Sequence, residues 1–589
     1  MHRRFRTVSL ALALGLACTP VVATAAEAGT RTEVKERDER RLALGAMKAE
    51  LKRSMEKLRL DGHDAPYFIS YQLKDTRSHG IVARYGALFD KRSQREAKLA
   101  VDVRVGSYEH DSSEGNEEIP FFLGGDQGPT YLAQTDAPQS PDPEALHNAL
   151  WLLTDEKYKA ALSNFLKRKA QGVYAAESEE EAGVSFTREK PVVFVQEPVD
   201  FPFDEARWTR EARALSDVFR DYPEIFDSEV RVTADKLIRI QTNSEGTELI
   251  TEETLYAVHV QAVTRATDGQ LLDNSRDFYA ASEGELPSFE RMREETGRMI
   301  AELLALRTAP VIEPYTGPAI LAPEATGVLF HETVGHRLEG ERQDDDNEGR
   351  TFKGQVGNRV LPSFLSVIDD PTARTFGDRT LNGFYRYDDE AVPGQKTVLI
   401  EDGVLRNFLL SRKPVKGFTH SNGHGRAQAN RKPMARMANL FVRSSKEVPY
   451  TKLRQMLIEE AKRQKKPYAL IIRDMTGGNT NTSTYGYQAF KGVPRMVYRV
   501  DVATGKEELV RGVEIVGTPL TSINKIVATG DEYAVFNGFC GAESGYVPVS
   551  TVAPAALITE LELQRTVKAH ERSPILPGPW AKSKKPAGR

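Results

Sequence analysis

The sequence predicts an α+β protein: a mixed α/β N-terminal domain over residues 27–310, then a strand-rich C-terminal domain over 311–572 that is barrel-like or a stack of sheets and carries one candidate metal-site helix. Three observations carry this. Between Arg31 and Leu306, helical patterns alternate with β-branched runs. The Pro-rich segment "RTAPVIEPYTGP" then marks a boundary near residue 310. Beyond it only two helical stretches occur, Pro323–Glu339 and Val448–Gln464, among short strands and Gly-rich turns.

Taken in order, "MHRRFR" is a basic leader, "TVSLALALGLAC" an apolar run too short to span a bilayer, and "ATAA" a small-residue cleavage signal, so residues 1–26 read as a signal peptide. Cys18 raises lipoprotein anchoring, but Gly15 stands where such a signal favours leucine; Arg3 and Arg4 lack the polar context of a twin-arginine signal. The expected location is the periplasm or the medium. Arg31–Leu60 shows apolar residues near helical spacing and stops at "DGHDAP". "YFISYQL", "GIVARYGAL" and "KLAVDVRVGSY" read as three consecutive strands, and Pro143–Lys169 as an amphipathic helix followed by the acidic stretch "ESEEEAG". β character resumes at Glu229, with "NSEG" as a hairpin turn, and Pro287–Leu306 is a helix. In the C-terminal domain, "KTVLIEDGVLRNFLL", "YALIIRDMTGG", "RMVYRVDVATGKEELV" and "EIVGTPLTSI" supply strands, and residues 573–589 form a Pro/Lys-rich tail.

Charged residues make up 28% of the chain with a formal net charge of -4, and no basic patch is interleaved with aromatics, which argues against nucleic acid as a partner. No stretch after the leader reaches eighteen apolar residues, so no membrane span is expected. The Gly-rich segments match no phosphate-binding fingerprint. With the leader removed, Cys540 is the one remaining cysteine. In an oxidising compartment a lone thiol is either buried as a small apolar residue or occupied by a ligand.

"GVLFHETVGHRLEGE" is where chemistry concentrates. His331 and His336 stand five apart with Glu332 directly after the first, where the familiar zinc-peptidase helix spaces its histidines four apart. On an ideal helix, residues five apart diverge by about 140° and residues four apart by about 40°. Glu332 and His336 then share a face while His331 points away. One metal can take both imidazoles only if the helix is distorted, and Gly335 is the natural place for a π-bulge. Catalytic zinc takes three protein ligands. His331, His336 and Cys540, the latter in the glycine-flanked "NGFCGAESG", would supply them to one Zn2+ per chain, and Glu332 would act as general base toward a water polarised by the metal. The plain alternative is a helix with two surface histidines.

At these residues the sequence resembles the TldD/PmbA family of metallopeptidases. The resemblance runs on through "GRTFKGQVGNRVLPSFLSVIDDP", "YRYDDEAVPGQKTVLIEDGVLRNFL", "KPMARMANLFV", "TGGNTNTSTYGYQAF" and "GTPLTSINKIVATGD" to "GFCGAESGYVPVSTVAPAALI", covering most of residues 311–560. It implies two domains, dimers enclosing the active site, and cleavage of unfolded or short peptides. By position it places the metal ligands on His331, His336 and Cys540 and the catalytic role on Glu332. Retention of all four implies the active type, paired as a homodimer or as a heterodimer with an inactive relative. The export signal departs from the family's cytoplasmic members.

"HETVGH" also resembles the H-E-x-x-G-H of dipeptidyl peptidase III, whose third ligand is a glutamate; Asp388–Glu390 lies at a comparable distance but lacks that family's segment. A non-catalytic exported scaffold with a structural metal is the other alternative, and His420 and His424 in "HSNGHG" are its further candidate ligands. Weaker candidates are Glu339 and Glu341 as residues that orient an imidazole, Arg436 and Asn439 as peptide contacts, and Thr476–Asn481 as an edge for an extended peptide.

Overall fold

One helix and a long hairpin open the part of the chain that the computed structural model describes, which comprises residues 38–113, 135–139, 142–174, 184–343, 351–480, 482, 490–517, 519–566, 574 and 576–579. Residues 1–26, expected to be a signal peptide, the acidic stretch after the second helix and most of the C-terminal tail lie outside the described residues.

Helix α1 (Glu39–Lys57) buries Leu44, Met47 and Leu51, one face at three- and four-residue spacing. Strands β1 (Pro66–Arg84) and β2 (Ala87–Val105) follow. Two of the three strands expected here are therefore one: the polar "KDTRSH" between them stays in the ladder, paired with both neighbours. Its charges are matched, Asp75 to Arg95 of the neighbouring β2 at 2.7 Å and Lys74 to Asp389, from the C-terminal half, at 2.7 Å, so polarity there does not mark a turn. The turn falls instead at Tyr85–Gly86, with φ of 46° and 77°, the left-handed pair that a two-residue hairpin needs. After α2 (Pro143–Tyr174) and β3 (Val193–Val195) comes α3 (Glu205–Asp217), which the strand-dominated reading of this region missed. Asp204 caps it by accepting from the Arg207 N–H, and Trp208, Ala212 and Leu215 form its buried face. β4 (Asp227–Asn243) and β5 (Glu248–Arg265) meet at the expected "NSEG" turn, where the Asn243 side chain accepts from Glu245 N and Thr247 N. β6 (Leu271–Ala280) and α4 (Phe289–Thr308, N-capped by Ser288) complete this half. The described strands form a six-stranded sheet of order β2-β1-β4-β5-β3, with β6 also on β5.

The second sheet begins with β7 (Tyr315–Leu321), followed by α5 (Pro323–Thr333), β8 (Leu365–Asp369), β9 (Asn439–Ser444), α6 (Tyr450–Arg463), β10 (Tyr468–Thr480), β11 (Phe490–Asp501), β12 (Val513–Gly517), α7 (Pro519–Asn524), β13 (Ile526–Ala542) and β14 (Gly545–Arg565). α7 replaces the end of the expected strand "EIVGTPLTSI", where a proline starts a short helix. The 21-residue β14 is the organising strand. Its C-terminal half pairs with β7 and β12, and the path β14-β12-β11-β10-β7-β14 closes on itself, the barrel-like arrangement expected. Its N-terminal half pairs with β13 and β9, carrying the sheet outward to β8.

The two sheets meet at a buried charge cluster. Asp389 takes Lys74 Nζ at 2.7 Å and Arg239 Nε at 3.0 Å from β1 and β4, and accepts from Ala427 N at 2.7 Å. Against burial, these two cations hold Asp389 below the ordinary carboxylate range. Among the described residues neither neighbour forms a close ion pair; backbone N–H groups bind Asp388, and the Arg412 N–H binds Glu390. Burial pushes Asp388 up to about 7, and burial with the Asp388 charge pushes Glu390 well above its ordinary value. The folded pair therefore holds more protons than the unfolded chain from the ordinary carboxylate range up to about pH 7, so this cluster loses stability as pH rises through that window. The melting temperature should fall between about pH 5 and about pH 8, and by less in Glu390→Gln; equal slopes in melts of the two proteins would contradict this.

Candidate metal centre

α5 is buried on every side: Ala325 to Thr333 all lie inside, packed against β14, β13 and β10. It stops at Thr333, six residues short of the expected end at Glu339. Val334, at φ -115° and ψ -50°, turns the chain off the axis into a 3-10 turn over Gly335–Leu338. The expected distortion near Gly335 is present, as a helix end and not as a π-bulge. Two contacts explain it. A Cβ on Gly335 would stand 2.0 Å from Met437 Sδ, so any larger residue there would have to displace the buried Met437 side chain. Arg337 Nη1 donates to the carbonyls of Glu332 (3.0 Å) and Thr333 (3.3 Å), satisfying acceptors the broken helix leaves open.

This break lets both imidazoles converge. The His331 and His336 rings lie 5.1 Å apart, centroid to centroid, with planes at 86°. Cys540 joins them, 3% exposed, with Sγ 3.4 Å from His336 Nε2. It sits inside β13, opposite Val547 of β14, and not in the glycine-flanked loop expected from "NGFCGAESG"; the turn, at Glu543–Ser544, begins three residues later. One donor atom from each of His331, His336 and Cys540 lies within 4.8 Å of the others, and among the described residues no other His/Cys/Asp/Glu group meets that condition.

Glu339 anchors the His336 ring. Its carboxylate lies 3.2 Å and 3.3 Å from His336 Nδ1, leaving Nε2 facing Cys540. Burial alone would raise Glu339, but His336, Arg342 (2.7 Å) and Arg436 (3.5 Å) hold it down to about 2. Burial would likewise raise the Cys540 thiol, yet His336 and His331 hold it well below its ordinary value. Burial would lower His336, and Cys540 with Glu339 lifts it well above. Two imidazoles around a thiolate form a donor set matched to a soft dication.

Glu332, 9% exposed, shows no side-chain hydrogen bond among the described residues. Its side chain crosses Gly478 of β10, where an added Cβ would stand 2.8 Å from Glu332 Cγ. Gly478→Ala should therefore push the Glu332 carboxylate aside, which a structure of the variant would show as a changed Glu332 rotamer.

The other candidates separate cleanly. Glu341 does not reach an imidazole; it accepts from Ala435 N at 2.9 Å and pairs with Ser411 Oγ. Arg436 and Asn439 are fully buried, so neither is a peptide contact: Asn439 ties Gly383 N and the carbonyls of Asp370 and Ala373. His424 is buried against Asn422 and Asp369, and His420 is exposed beside Glu189, so neither joins the centre. Thr476–Thr480 continue β10, and Asn481 lies outside the described residues. Asp388–Glu390 lie in the inter-sheet cluster and not among the candidate ligands. Sequence reasoning missed Arg337, Arg342 and Glu543; two arginines flanking Glu339 in "HRLEGER" were the available signal. Among the described residues no helix is long and apolar enough to cross a membrane.

Fold and site together define a mixed α/β protein with a His/His/Cys cluster on a broken helix in a strand-rich domain. Residues 314–565 match the family model of the PmbA/TldA metallopeptidase C-terminal domain. A metalloprotease of Methanocaldococcus jannaschii is 28% identical over 319 residues, 53% of this chain and 64% of the relative. A zinc metalloprotease TldD homolog of Saccharolobus solfataricus is 28% identical over 249 residues, 42% of this chain and 51% of the relative. The match thus spans less than two thirds of these relatives' length. TldE from Thermococcus kodakarensis superimposes with a TM-score of 0.58 at 13% identity, covering 88% of this chain and all of that one, which shows the shared fold. Residues 314–565 thus carry a PmbA/TldD family domain.

Proposed function

We propose that this protein is a zinc-dependent peptidase that hydrolyses peptide bonds in unfolded or short peptides, with Glu332 as the general base. The observation that carries this reading is the convergence of His331, His336 and Cys540 within 4.8 Å beside Glu332. Among the described residues His331 Nδ1 is buried without a hydrogen-bond partner, and a buried nitrogen left open among such donors fits a metal. His331, His336 and Cys540 would hold one Zn2+ per chain. When bound, zinc supplies Lewis acidity at the scissile carbonyl and makes water more acidic. Glu332 takes the proton from the attacking water and delivers it to the leaving amine. Glu339 keeps the His336 tautomer fixed. Beyond Ile472, β10 has no strand partner among the described residues on the side away from β11, an edge on which an extended peptide can pair.

The names of the curated relatives support the peptidase class. The protein assembles as a homodimer or as a heterodimer with an inactive relative, as the family resemblance implies. The signal-like pattern of residues 1–26 supports the periplasm or the medium as its location. The test is cleavage of an unstructured fluorogenic peptide by purified protein, its abolition by a zinc chelator, and its return with added zinc. Cleavage indifferent to the chelator would overturn the reading.

A further inference from the structure

Resting on that metal reading, we infer that Arg436 is a positioning residue of the centre: its guanidinium fixes the hairpin that carries Cys540 to the turn that carries His336. The two halves of the centre come from distant parts of the chain. His331 and His336 belong to α5 and the turn after it, whereas Cys540 belongs to β13, and Cys540 is the only candidate ligand on that hairpin. Arg436, from the segment just before β9, is fully buried. One edge of its fork reaches the hairpin at three points. Nη2 donates to the Cys540 carbonyl at 2.7 Å, and Nη1 donates to Ser544 Oγ at 2.8 Å and to the Gly545 carbonyl at 3.1 Å. The other edge, Nε, faces Glu339 Oε1 at 3.5 Å, and Glu339 in turn holds His336 Nδ1.

A chain of contacts thus runs from the backbone of one ligand to the ring of another through a single rigid, planar cation. Arg342 makes a parallel tie, sharing Glu339 at 2.7 Å and gripping the Glu543 carboxylate at 2.9 Å and 3.1 Å in the same turn. Glu543 is partly exposed and the Arg342 tie runs through its side chain; the Arg436 tie is buried and holds main chain, so it sets where the Cys540 Cα stands. The hairpin tip is not a strand neighbour of the 3-10 turn, so side-chain ties such as these two hold the distance between them.

Arg436→Lys keeps the charge beside Glu339 and loses the fork. Ser544→Ala deletes one of the three hairpin acceptors with little change in volume and serves if the lysine variant does not fold. Both should take up zinc and release it to a chelator faster than wild type, about tenfold or more for the lysine variant. The gap in melting temperature between zinc-loaded and metal-free protein should shrink with it. Arg412→Lys, at an equally buried arginine whose fork binds the Thr187 carbonyl and Glu245, should leave zinc release unchanged. Zinc release at the wild-type rate in Arg436→Lys and Ser544→Ala overturns the inference, as does an equal drop in the melting temperature of loaded and metal-free forms. A wild type that takes up no zinc is a separate result: it removes the metal reading itself.

Discussion

Glu332→Gln is expected to hold as much zinc as the wild type and to lose about 10²–10⁴-fold in peptide cleavage, the range that a positioned general base contributes. The amide keeps the shape and polarity of the side chain and loses its ability to take a proton. Nothing in the ligand cluster depends on that carboxylate. Its backbone carbonyl is bound by Arg337, while the side chain shows no hydrogen bond among the described residues and rests on Gly478. The substitution therefore separates chemistry from structure at this site. Elemental analysis beside kcat on an unstructured peptide decides it. Full cleavage by the glutamine variant would rule out Glu332 as the base; loss of zinc would show that the carboxylate is itself a ligand.

Cys540→Ser should lower zinc affinity by more than about 100-fold, since even residues that only orient ligands change affinity by 10–100-fold. A serine hydroxyl does not ionise near neutral pH, while the Cys540 thiol is held well below its ordinary range by His336 and His331 and is ready as a thiolate. The variant should fold, because Cys540 fills a strand position 3% exposed and serine is smaller. Zinc uptake must also displace a proton from His336, whose affinity for it is raised by Cys540 and Glu339. Acidification should therefore favour the metal-free centre, and metal content measured after equilibration at falling pH reads this directly. Zinc bound equally by Cys540→Ser and wild type would remove cysteine from the ligand set.

Much of the fold was legible because local pattern and tertiary role agree there. α1, α2, α4 and α6 carry apolar residues at helical spacing, and "NSEG" turns where it should. The misreadings share a cause. "KDTRSH" reads as a break because it is polar, but partners on β2 and at Asp389 neutralise it inside a continuous strand. "NGFCGAESG" reads as a loop because of its glycines, but β14 supplies a ladder that holds it extended to Ala542. α3 was legible in its cap and its Trp208, Ala212 and Leu215 face, and was passed over beside stronger strand signals.

For the candidate centre, residue types and their order pointed to His331, Glu332, His336 and Cys540, and the folded chain brings the donors of His331, His336 and Cys540 within 4.8 Å of one another; past residue 26 the sequence offers one thiol. The spacing of five also announced that a regular helix would not serve. What the tertiary structure decided is how the helix gives way and what holds the result. Met437 fills the space beside Gly335, Arg337 collects the freed carbonyls, and Glu339 with Arg342 and Arg436 binds the broken turn to a distant hairpin, 201 residues separating Arg342 from Glu543. These contacts join side chains whose separation in sequence carries no periodic signal, so only the folded chain shows them.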